Sequence, residues 1–172
     1  MKSKLLVIII VVLVIVVGVL AFINREQLAG KRALVENPGI LISHQGAEVA
    51  TIYLEEIRRL GEEEFAIVLR SSGKPPRDLT LTGVPLKALL QKVDASLMES
   101  ASQVLVRAID GYSVAYTMEE VLLDDHIYLV YLNSGEPLGT KEDGGSGPLM
   151  MVPRQDEFGQ RWCKFAVEVV LE

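Results

Sequence analysis

Two histidines, one cysteine and one glycine-rich loop are the obvious places to look for chemistry in this chain. His44 and His126 stand far apart. Asp124-Asp125-His126 offers a metal one contribution, with nothing at ligand spacing beside it, so a solvated loop end is the simpler reading. Cys163 has no partner for an internal disulfide. It sits in an alternating, strand-like stretch, where a thiol acts as a small buried hydrophobe. Gly144-Gly145-Ser146-Gly147 looks superficially like a nucleophile elbow. Pro148 occupies the place of the last glycine, and the flanks are not strand and helix. The same loop lacks the Gly-Lys-Ser/Thr of a phosphate-binding loop. No nucleophile, metal set or phosphate cradle can be read from these residues.

The elements that would hold such residues can be read along the chain. Ile40 to His44 alternates as a strand, and Thr51 to Leu60 has helical spacing before Gly61. Glu64 to Arg70 and Leu79 to Thr82 read as strands around a loop at 71–76. Pro85 opens a helix running to Val93, proline being suited to a first helical turn. Gln103 to Ile109 alternates, and Asp110-Gly111 is a hairpin dipeptide that returns the chain through Tyr112 to Tyr116. Thr117 and Glu120 have capping-box spacing, predicting a short helix to Leu123. Ile127 to Leu132 is a strongly apolar strand. Asn133-Ser134-Gly135 is a turn, 141–148 a flexible loop, and 149–152 and 161–171 close the domain as strands. Short helices among antiparallel strands make the class α+β.

The N-terminus is different in kind. From Leu5 to Ile23 every residue is apolar or glycine, and nineteen helical residues span roughly 28 Å. Lys2 and Lys4 precede the run, and no small-residue cleavage site ends it. The pattern predicts an uncleaved transmembrane anchor over 1–23, a tether over 24–39 and a folded domain over 40–172. It also predicts a single-pass cell-membrane protein with its domain on the extracytoplasmic side. All 23 acidic residues and 15 of the 17 basic ones follow the run, leaving a net charge of about −8 there. That sign disfavours nucleic acid as a partner.

One ordered series of short motifs points further. It comprises Thr82-Gly83-Val84-Pro85-Leu86-Lys87-Ala88-Leu89-Leu90, Ala108-Ile109-Asp110-Gly111-Tyr112-Ser113, Tyr128-Leu129-Val130-Tyr131 and Asn133-Ser134-Gly135-Glu136-Pro137-Leu138. It ends with Gly147-Pro148-Leu149, Val152-Pro153 and Trp162-Cys163-Lys164. The series, from about Ile40 to Glu172, resembles the molybdopterin-binding domain of the sulfite oxidase superfamily, in its small stand-alone form. The resemblance implies a sulfite-oxidase-like fold of mixed sheets and short helices, with a cleft able to hold a pterin ring.

Two departures accompany it. The family's molybdenum-ligating cysteine falls where this chain reads Val68-Leu69-Arg70-Ser71-Ser72-Gly73, without a thiol. A hydroxyl is a poor substitute for a soft thiolate on such a metal. The basic residue that follows the Gly-Pro pair in the family is replaced by Met150 and Met151. No tightly bound metal and no metal ligand are therefore expected.

The resemblance implies a ligand site of Ser71, Asp110, Tyr112, Asp143, Gly144, Gly147, Trp162 and Lys164. Asp110 would accept hydrogen bonds from a pterin's amino and ring nitrogens, or simply form a turn. Tyr112 and Trp162 would stack on a flat ring or pack in the core. Lys164 would turn into the cleft or into solvent, and the loop from Asp143 to Gly147 would present backbone N–H groups. Ser71 would line the pocket. The expected function is binding of a small flat heteroaromatic ligand, a pterin or molybdopterin-related molecule, without molybdenum redox chemistry. Binding would be relayed to a membrane receptor or redox partner. A molybdopterin-dependent oxidoreductase or redox subunit, and a degenerate protein-interaction module, are the alternatives.

Overall fold

The computed structural model describes the backbone of residues 2–172, and the side chains of 9–22 and 29–172. It opens with one helix, α1 (Lys2–Glu36), continuous through the segment expected to be a separate tether. The side chains from Ile9 to Phe22 are all exposed. Among the described residues, no helix is long and apolar enough to cross a membrane. Leu5 to Ile8 and Ile23, the rest of the predicted span, lie outside the described side chains. The expected transmembrane helix, and with it the single-pass membrane localisation, is corrected accordingly.

The remaining chain forms two sheets. The first has the order β2-β1-β11-β5-β6 and is built from β1 (Gly39–His44), β2 (Ala47–Tyr53), β5 (Gln103–Ala108), β6 (Ser113–Thr117) and β11 (Ala166–Leu171). Only the β1–β11 pair is parallel. The second runs β10-β9-β7-β4-β3, from β3 (Glu63–Ser71), β4 (Lys74–Pro85), β7 (Ile127–Asn133), β9 (Met150–Pro153) and β10 (Cys163–Lys164). A two-residue β8 (Glu136–Pro137) pairs with β7. Between them stand α2 (Leu54–Ile57), α3 (Leu86–Asp94), α4 (Ser96–Ser100) and α5 (Met118–Leu122).

The pleat explains the layers. On β7, Ile127, Leu129 and Tyr131 face the main core with Leu89, Leu90, Val104, Val106 and Val169. Tyr128 and Val130 face the other side, where they meet Phe65, Leu81, Met150, Val152 and Trp162. A strand apolar on both faces must be covered on both faces, and β7 is. A third cluster, Leu34, Leu41 and Val167, lies where α1 meets the first sheet. There Lys31 Nζ reaches Glu168 Oε2 at 2.8 Å.

Several expected elements move. The helix expected over Thr51–Leu60 is instead the end of β2, then α2 and a single 3₁₀ turn at Arg58–Leu60. Gln45 and Gly46, both at positive φ, close the β1–β2 hairpin. The loop expected at 71–76 is the tip of a long β3–β4 hairpin, which turns at Ser72-Gly73. The closing strand expected over 161–171 is broken at Phe165, whose φ is +56°. That left-handed residue is the corner where the chain leaves the second sheet as β10 and enters the first as β11. Gly83 is required where β4 crosses β7, because a Cβ there would lie 2.5 Å from the Leu129 carbonyl oxygen.

Candidate functional site

Trp162 ends a 3₁₀ turn at Gly159–Arg161 and leads into β10. Its ring packs against the outer core of the second sheet and is 6% exposed. Its indole Nε1 is buried with no hydrogen-bond partner among the described residues. A buried donor left unpaired costs about 1–3 kcal/mol, so such a group needs an explanation. Trp162 forms one wall of a cavity of about 290 Å³. Gly144, Gly145 and Ser146 form another, and Lys164 and Arg77 stand at it. Leu138 and Met150 complete an apolar side. Lys164 follows Cys163 on β10, so the pleat sends Cys163 into the main core and Lys164 away from it.

The glycine-rich loop is not the flexible connection that its composition predicts. Gly145 N–H donates to Thr140, Ser146 N–H to Leu138 and Gly147 N–H to Gly139, at 2.7, 2.9 and 3.1 Å. Gly144 N–H donates to Lys141 at 3.2 Å. A Cβ on Gly145 would collide with the carbonyl groups of Leu138 and Gly139. The loop is folded tightly on itself. Its amides are spent internally, so ligand contacts from this wall fall to the Ser146 hydroxyl and to carbonyl groups.

Three expected site residues, Gly144, Trp162 and Lys164, therefore meet at one cavity. The others do not line it. Asp110 sits in the β5–β6 turn, where its carboxylate accepts the Tyr112 N–H at 3.2 Å and pairs with Lys141 Nζ at 3.4 Å. Tyr112 is 48% exposed, and its hydroxyl donates to the Gln160 carbonyl at 2.8 Å. Both residues thus brace segments next to the cavity. Asp143 accepts the Thr140 hydroxyl at 2.6 Å within the loop, and Gly147 packs against Leu149. Ser71 is exposed at the tip of the β3–β4 hairpin, two residues beyond Leu69, which does line the cavity.

Sequence reasoning missed Arg77. It stands on β4 opposite Leu69, beyond a pair of prolines that hid the strand. Cys163 is fully buried, and its Sγ lies 3.8 Å from the Val106 carbonyl oxygen. Burial, with a smaller contribution from the Asp110 charge, pushes its thiol up to about 12. It supplies no thiolate to the cavity.

No family model matches this chain, and no curated protein matches it. Among solved structures it is similar to the sulfane dehydrogenase SoxCD from Paracoccus pantotrophus. The TM-score is 0.61 at 16% sequence identity, over 77% of this chain and 37% of that one. The likeness is one of fold: a mixed α+β architecture shared at a distance with an oxidoreductase. The chain spans little more than a third of that protein's length.

Proposed function

We propose that residues 40–172 form a ligand-binding unit that holds a small flat heteroaromatic ring, of pterin type, in the cavity walled by Trp162, Lys164 and Gly144–Ser146. The observation that carries this is that Trp162, whose buried Nε1 has no hydrogen-bond partner among the described residues, forms a wall of that cavity. A ring bearing an acceptor would satisfy it. The remaining walls fit the same guest: an apolar side from Leu138 and Met150, and cationic donors from Arg77 and Lys164. A few placed polar groups on an apolar surface are what such sites require. At about 290 Å³ the cavity suits a bicyclic ring better than an extended cofactor.

The residues do not fit molybdenum in the manner of the family. The stretch where the family's thiolate ligand falls, Val68 to Gly73, carries the hydroxyls of Ser71 and Ser72 at a hairpin tip and no thiol, and Cys163 is turned into the core. The fold shared with a sulfane dehydrogenase supports one other reading, an oxidoreductase or a subunit of one. Native mass spectrometry of the protein purified from its own host separates the two. A retained pterin-sized mass without metal supports the binder, and stoichiometric molybdenum supports the oxidoreductase.

A further inference from the structure

A second cavity, of about 550 Å³, lies at the other end of β7. The first is lined by Asn133 and Leu81, the second by Ile127, Tyr128 and Pro85. Six residues of strand separate those ends, or about 20 Å. His126 is a wall of the second cavity and is only 6% exposed. Its Nδ1 is buried with no hydrogen-bond partner among the described residues. Its Nε2 stands 4.0 Å from the Glu120 carboxylate, close enough to feel the charge and too far for a hydrogen bond.

The polar groups around His126 are short of protons. The single Tyr128 hydroxyl lies 2.8 Å from Glu63 Oε2 and 3.0 Å from Asp125 Oδ1, so one proton serves two carboxylates. Burial, then the Glu63 hydrogen bond and charge, push the Tyr128 hydroxyl well above its ordinary range, so it keeps that proton. Two cations line the cavity and both are engaged, Lys87 with Asp124 at 3.2 Å and Arg154 with Asp125. Among the described residues no cation pairs with Glu63, whose carboxylate accepts from the Tyr128 hydroxyl. Asp125 is held at a φ of +56°, a backbone conformation uncommon outside glycine, in the turn that presents its carboxylate to Tyr128 and Arg154.

We propose that this cavity binds a primary ammonium group. An ammonium brings three donors and no acceptor, which matches what the site lacks. It would neutralise Glu63 and donate to His126 Nδ1 in the ring tautomer that carries its proton on Nε2. Its alkyl chain would lie on the apolar wall of Ala88, Val121 and Ile127. Among the described residues no group of three acidic, histidine or cysteine side chains is placed to hold a metal ion. The donor set thus favours an organic cation.

The test uses the full chain, with n-butylammonium as probe and butyrate as the control of opposite charge. Imidazole ¹⁵N spectra report on His126 directly, and His126→Asn assigns its signals against those of His44. The expected result is a saturable shift of the His126 ring nitrogens with butylammonium and none with butyrate. Glu63→Gln, at an exposed strand end, should keep the melting temperature and weaken binding roughly tenfold or more. Unmoved His126 signals at tens of millimolar probe, an equal response to butyrate, or unchanged affinity in a folded Glu63→Gln protein would each overturn the proposal.

Discussion

The hydroxyl of Tyr112 donates to the backbone carbonyl of Gln160 across 48 positions of sequence. Two residues past Gln160 stands Trp162. The bond ties the β5–β6 turn to the 3₁₀ turn that delivers the indole to its cavity. Tyr112→Phe removes it and leaves the ring. The expected loss is about 0.5–1 kcal/mol of stability, at the low end for a hydrogen bond because the tyrosine is half-exposed. Ligand affinity should fall more than the melting temperature does, since the turn positions Trp162. Denaturant melts beside a binding titration check this.

The acid side of the stability curve should carry the mark of Glu168. Burial alone would raise its carboxyl. The Lys31 hydrogen bond and charge, the Ser43 hydroxyl and the Arg107 charge outweigh burial and hold it below the ordinary carboxylate value. A depressed folded-state value means the stabilisation is present above about pH 4.5 and is lost as pH falls through the folded value. Glu168→Gln should flatten the stability profile below that pH relative to the parent protein. Urea melts from neutrality down to pH 3 measure it.

Cys163 should be silent in the native state. Its thiol is buried and raised to about 12, so almost no thiolate forms at neutral pH. A thiol reagent should label it only at the rate of unfolding. Cys163→Ser should cost on the order of 1 kcal/mol and leave binding at the Trp162 cavity intact. Labelling kinetics with and without mild denaturant decide the first point.

Gly145 should tolerate nothing larger. Its absent Cβ is what lets the loop close onto the Leu138 and Gly139 carbonyls. Gly145→Ala should cost about 1–3 kcal/mol through overpacking and should enlarge or distort the wall facing Trp162. Gly30→Ala, in the exposed helix α1 where a Cβ meets nothing, is the control. Paired thermal melts compare the two.

Much of this architecture is legible in the sequence where one local rule decides the outcome. Thr117 and Glu120 form both halves of the predicted capping box, at 3.2 and 2.8 Å. Asp110-Gly111 turns the β5–β6 hairpin, with Gly111 at a φ of +88°. The alternation of Val104, Val106 and Ala108 gives the buried face of β5. Where two signals compete, the reading fails. β2 is an edge strand with one buried residue, Ile52, so it lacks the alternation that marks a half-buried strand. Pro75 and Pro76 read as loop, yet they sit in β4 near the hairpin tip, where missing N–H groups cost least. The glycines at 144–147 look flexible because composition does not show that each amide has an acceptor. At the site, the motif series leads to Trp162, Lys164 and Gly144. It misses Arg77, which no motif marks, and places Ser71 and Asp110 at a cavity they only border.

The proposed ligand site lies beside Trp162, the one tryptophan of the chain, whose emission therefore reports on that wall alone. Titrating the protein with a free pterin while following Trp162 fluorescence and the melting temperature tests it directly. A pterin bound at that wall should give saturable quenching and a rise in melting temperature, both weakened in Lys164→Ala. Unchanged emission and an unchanged melting temperature at millimolar pterin would contradict it.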